Sequence, residues 1–124
     1  MARTSKQAVE LTISQEMKTF LREHIGEQPK TVQTRIVDDV IIVRFTGVSP
    51  PAERQYSRLS EGAQTMRKLK ERIFAGARPF LEAVIKKITT VDVIDVYSSF
   101  DVKTDERIEI FTLAKVLDCN TSVS

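Results

Sequence analysis

Two β-branched runs, Thr31 to Val37 and Val40 to Thr46, are separated only by Asp38-Asp39. So short a link leaves one geometry: an antiparallel hairpin, with Asp supplying the positive φ that a tight turn demands. Side chains alternate between faces along a strand, so Ile41, Val43 and Phe45 share one face. Val40 and Ile42 share the other with Arg44 and Thr46. A strand apolar on part of both faces is expected to be covered on both, at least locally. A second strand pair is predicted at Val91 to Phe100 and Glu106 to Ala114, joined by a polar loop. In it Ile108 and Ile110 alternate with Phe111 and Leu113.

Each pair follows a helical pattern. From Ser5 to Ile25, Val9, Ile13, Met17, Phe20 and Leu21 recur at spacings of three and four, which puts them on one stripe. Ser5 or Thr4 can cap the start, and Gly26 and Pro29 stop the helix. The segment "VSPPAERQ" reads as a helix start, with Ser49 as N-cap and Pro50-Pro51 in the first turn, where a missing N–H costs nothing. From Ala63 to Ile88 the stripe is Met66, Leu69, Ile73, Ala77, Phe80, Val84 and Ile88, widened by Phe74, Leu81 and Ile85. Pro79 lies inside it, so a kink near Ala75-Gly76, or two helices meeting there, is expected.

The order helix, hairpin, helix, hairpin predicts one α+β domain over residues 1–124, with an ordered core at about 5–114 and a polar tail at 115–124. The architecture is a two-layer α/β sandwich of order α-β-β-α(α)-β-β, with helices on one face of a four-stranded, mostly antiparallel sheet. The two αββ halves invite comparison as a duplication, since "KTVQTRIV" and "TTVDVIDV" follow their helices in equivalent places. With 124 residues, 41% hydrophobic and 29% charged, the chain can bury a core without disulfides or metal. No apolar run reaches the roughly 18 residues of a membrane span, and no apolar segment follows the basic N-terminus as in a secretory signal. One cysteine fits a reducing cytosol, and a cytoplasmic location is expected.

Chemistry is sparse. His24 is the single histidine and Cys119 the single cysteine, and neither has ligand-spaced or catalytic partners. The acidic pairs Asp38-Asp39 and Asp105-Glu106 fall at turns, where local hydrogen bonding explains them. No phosphate-loop, dinucleotide, zinc-protease or CxxC motif is present. The expectation is therefore no catalytic residue, no metal and no cofactor. Charge is uneven: seven basic residues face two acidic ones from Thr65 to Ile88, and seven acidic face three basic from Val91 to Asp118. Arg67, Lys68, Glu71 and Arg78 lie roughly opposite the helical stripe. That makes Arg67, Lys68 and Arg78 a candidate basic face for a small anion, while a net charge of +2 and the lack of an aromatic platform speak against nucleic acid.

Three stretches carry a family resemblance: "TRIVDDVIIVRFTGVSPPAERQ", "EGAQTMRKLKERIFAGARPFLEAVIKKITTVDV" and "DVKTDERIEIFTL". Together they resemble the MpsC-like family, the soluble component of a sodium-translocating membrane-potential-generating system. The resemblance runs from the first helix to Leu113. It implies a cytosolic protein working beside membrane-associated proteins of ion or inorganic-carbon transport, and it transfers no active-site residue. Three readings stand: an accessory or regulatory subunit acting through protein contacts, a small-anion or nucleic-acid module using the helix around Arg67–Arg78, and an unrecognised enzyme. A homodimer is expected as well, because helices on one side leave the other sheet face bare with Val40 and Ile42 upon it.

Overall fold

The computed structural model describes residues 5–117. The first helix, α1, spans Lys6–Phe20 and is N-capped by Ser5, whose Oγ accepts the Ala8 N–H at 3.1 Å. It runs on as one wider π turn, Leu21–Ile25, until Gly26 ends it at φ +82°. The hairpin strands are β1, Thr31–Val37, and β2, Val40–Thr46, and Asp38 provides the turn's positive φ of 55°. A short helix α2, Pro51–Tyr56, leads into α3, Gly62–Thr89, and the chain ends in β3, Val93–Asp101, and β4, Glu106–Leu113.

The sheet order is β1-β2-β4-β3, and every pairing is antiparallel. Helix α1 packs over β1, α3 over β3, and the two helices touch each other. The fold is thus α+β, and its two αββ halves meet at the β2–β4 seam. The core lies between the layers. Ile13, Met17 and Leu21 of α1 and Phe74, Leu81 and Ile85 of α3 close over Ile41, Val43, Phe45, Phe111 and Leu113. On the β1 edge, the buried Glu10 carboxylate accepts the Ile36 N–H at 2.8 Å, and Ser14 and Thr34 share a hydrogen bond at 2.7 Å. The edge strand's open backbone is partly satisfied from the helix, which blunts it against pairing with another chain.

Four details correct the sequence reading. Ser49 is not the cap of α2: Pro50 is, Pro51 occupies the first helical position, and the Ser49 N–H is donated to Asp105 Oδ2 at 2.9 Å instead. Helix α3 passes Pro79 as one helix rather than two. Pro79 and Ala75 are both exposed, so the Ala75 carbonyl that loses its donor is open to water. The stripe α3 buries is also rotated from the expected one. Met66, Lys70, Phe74, Ala77, Leu81 and Ile85 point inward, while Leu69 and Phe80 are 43% and 60% exposed. The start of β3 shifts as well, from Val91 to Val93, where a register irregularity between Val93 and Asp95 begins the strand.

Candidate functional site

Along β4 the inward residues are Arg107, Glu109, Phe111 and Leu113, so an arginine and a glutamate enter the core at the end where α3 begins. The Arg107 guanidinium lies flat against Phe74, 3.3 Å from the ring centroid, and 5.4 Å from Phe100. It donates to Ser98 Oγ at 2.8 Å, to Glu109 Oε2 at 3.2 Å and to the Lys70 carbonyl at 3.1 Å. Ser98 also bonds Glu109. Lys70, 1% exposed, ion-pairs with Glu27 and with Glu53, whose Oε1 is 2.7 Å away. Burial pushes the Glu109 carboxyl above its ordinary range, while the Ser98 hydrogen bond and the Arg107 charge pull it back. Burial also pulls the Arg107 guanidinium below its ordinary value, with Glu109 opposing. Glu27 Oε1 and Arg107 Nε are buried without a hydrogen-bond partner among the described residues. The cluster ties the α1–β1 link, α2, α3, β3 and β4 together. Sequence reasoning missed it, because Lys70 read as part of a basic helix and both parities of β4 carry apolar residues, which left the inward face of that strand open.

In front of this cluster lies a cleft of about 700 Å3 between α2, the start of α3 and the β3–β4 turn. Phe100 forms part of its wall, so the buried Arg107 stands behind that ring. Arg54, Arg58, Arg67 and Lys103 line it. Of the expected basic face, only Arg67 reaches this cleft. Lys68 is exposed on the helix beside it. Arg78 is committed to Glu82 at 2.8 Å and approaches Asp95 at 3.7 Å; the Glu82 hydrogen bond raises its pKa above the ordinary value. With Lys86 bonded to Asp92 at 2.5 Å, part of the basic helix does face the acidic hairpin within one chain.

A second groove, about 740 Å3, runs between the π turn and α3 and is lined by Phe20, His24, Ile25, Ile73, Phe80 and Val84, with Gly76 leaving it open. His24 is exposed there with its ring 4.9 Å from Phe20, and no cluster of metal-ligating side chains exists among the described residues. Cys119 lies outside the described residues.

Among the described residues, the sheet face turned away from the helices is covered by no other element. By register it holds the rows Val37-Val40-Thr112, Arg35-Ile42-Ile110-Tyr97 and Gln33-Arg44-Ile108-Ser99. Val40, Ile42, Ile108 and Ile110 are half-buried by one another, Val37 is 52% exposed and Tyr97 63%. Arg44 reaches across to Glu106 at 3.0 Å. Val40 and Ile42 therefore stand where the sequence placed them, on the face the helices leave bare.

These features define a small α+β protein with a buried ionic tie, a basic cleft and an open apolar sheet face. Its family follows from comparison: residues 5–115 match the model of the family described as "Na+-translocating membrane potential-generating system (MpsC)", and the chain belongs to that family. It is also similar to "Uncharacterized protein YbcI" of Bacillus subtilis (strain 168), with 28% identity over 116 residues and 94% of each chain covered. No solved structure is significantly similar. None of the described helices is long and apolar enough to cross a membrane.

Proposed function

We propose that this protein is a non-enzymatic accessory or regulatory subunit of the cytoplasm that works as a homodimer beside a membrane system translocating sodium ions. The observation that carries the reading is the open sheet face. Each large apolar side chain left in water forgoes about 1.5–3 kcal/mol of burial, and here such side chains from all four strands lie together. A second copy suits the face because its charges are sorted. Arg35 stands on the β1–β2 half and Asp101 on the β4–β3 half, while Arg44 and Glu106 pair across the seam within one chain. A two-fold axis along the strands sets each half over the opposite half of the other copy, Ile42 over Ile110, in a self-complementary contact. Four strands about 4.8 Å apart and seven residues long give roughly 400 Å2 of projected face per copy, a small interface that dilution should separate. The sodium-translocating context comes from the family's description.

Light scattering after size exclusion tests the reading. The expected mass is twice 14.1 kDa at tens of micromolar, falling toward 14.1 kDa on dilution. Ile42→Asp is expected to give a folded monomer at all concentrations. A mass of 14.1 kDa for the unmodified chain throughout would overturn the dimer, and a dimer unmoved by Ile42→Asp would put the contact elsewhere. For the accessory role, affinity capture from native cells is expected to retain integral membrane transport subunits. Retention of none would remove that role.

A further inference from the structure

We propose that the cleft between α2, the start of α3 and the β3–β4 turn is a binding site for a small phosphate-bearing anion. Four cationic side chains from four segments converge on it: Arg54 from α2, Arg58 from the α2–α3 link, Arg67 from α3 and Lys103 from the turn. None of them forms an ion pair with another described residue. With four cations against the two carboxylates of Asp101 and Asp105, the cleft keeps an excess of positive charge that a bound anion would offset.

The two carboxylates at the cleft offset two of the four cations, and both also accept backbone N–H groups. Asp101 Oδ1 accepts the N–H groups of Lys103 and Thr104 at 2.9 and 3.4 Å, which folds the turn. Asp105 is 8% exposed, and its Oδ2 accepts the Ser49 N–H. Their chief work is to hold the loops that present the cations. Behind the wall stands the buried Arg107, whose charge is already met by Glu109, so the cleft's excess charge rests on the four lining cations. Ala63, in the first turn of the 28-residue helix α3, also lines the cleft.

Three guanidinium groups select for the ligand's chemistry. Each offers a planar fork matched to the oxygens of a phosphate, where a lysine alone would act as a point charge. Phe100, Val102 and Ala63 supply apolar wall beside them. At about 700 Å3 the cleft falls in the range of small-ligand sites and holds a diphosphate ester with an organic body. The shared chemistry is a phosphoester dianion, which a free metabolite or a phosphoinositide headgroup both present.

Isothermal titration with pyrophosphate and with ADP, and sedimentation with phosphatidylcholine vesicles with and without a phosphatidylinositol phosphate, separate the two sources. Binding is expected in at least one arm, and the arm in which it appears identifies the source. Arg58→Gln with Arg67→Gln is expected to weaken that binding about a hundredfold, about tenfold for each lost charged contact. Both side chains are exposed, so the fold should hold, and unchanged circular dichroism checks it. Lys68→Gln, exposed on the same helix but outside the cleft, should leave affinity within about twofold. No binding in any arm at millimolar ligand, or equal weakening by Lys68→Gln and Arg67→Gln, overturns the site. The dimer stands or falls separately, since its readout is mass.

Discussion

Arg107 is the largest of the fully buried side chains, and its neighbours explain how the core tolerates it. Stacking on Phe74 and donation to Ser98, Glu109 and the Lys70 carbonyl replace much of its lost hydration. Glu109 is the weaker member, because burial acts on it more strongly than its partners do. A carboxyl whose pKa is raised on folding adds most to stability below its unfolded value, ordinarily 4.5, and the contribution is lost as pH rises through the raised folded value. Glu109→Gln does not titrate, so the stability of the parent minus that of the variant isolates this group. Urea unfolding across the pH range should show that difference greatest at acid pH and shrinking from about 4.5 upward. A difference that grows with pH would mean that Arg107 dominates and the carboxyl is lowered instead. None of this was readable from "TDERIEIF". Arg107 and Glu109 share their parity with Phe111 and Leu113, while Ile108 and Ile110 occupy the other, so the pattern alone chooses neither face. The structure turns the charged parity in, because Phe74, Ser98 and Lys70 from distant elements wait there.

At the scale of elements the hairpin bounds were legible to the residue, since a two-residue link between β-branched runs fixes both strand ends. Helix α1 was legible too: its stripe and its Ser5 cap agree with each other. Helix α3 was legible in extent but not in phase. Lys70 breaks the apolar stripe and Phe80 offers a decoy, so the buried face could be fixed only by knowing the acids, Glu27 and Glu53, that Lys70 meets. Two glycines of this helix make opposite predictions. Gly76 is exposed, with nothing within 4 Å of an added Cβ, so Gly76→Ala should stabilise by about 0.5–1 kcal/mol through helix propensity. A Cβ on Gly62 would lie 2.0 Å from the Tyr56 carbonyl oxygen, where α2 folds back on α3. Backbone cannot yield as a flexible side chain would, so Gly62→Ala should cost roughly 1–3 kcal/mol. Thermal unfolding should move the two midpoints in opposite directions. A stabilised Gly62→Ala would show that the α2–α3 junction is looser than its geometry.

Across the whole molecule, the order β1-β2-β4-β3 gives each αββ half one edge strand and one central strand, with its helix over the edge. This explains why a chain with only two long helices still closes one core, and why the opposite face stays open. Halves that contribute equally to one layer of helices have no third helix for the second face. The fold class was legible because periodicity reports each element separately. The basic cleft was not, because it gathers Arg54, Arg58, Arg67 and Lys103 from segments that only the folded β3–β4 turn brings beside α2. The same geometry separates the two proposed activities. Ile42 lies at the centre of the outer face, whereas the four cations sit at the end of the molecule where α2 meets the β3–β4 turn. Residues that share no partner and belong to different surfaces act additively. Ile42→Asp should therefore lose the dimer yet bind the phosphate ligand within about twofold of the parent. The Arg58→Gln, Arg67→Gln variant should lose the ligand yet keep the parent's mass at every dilution. A monomeric Ile42→Asp chain that also lost ligand affinity tenfold or more would show that the second copy completes the cleft, and would make dimerisation the switch that controls binding.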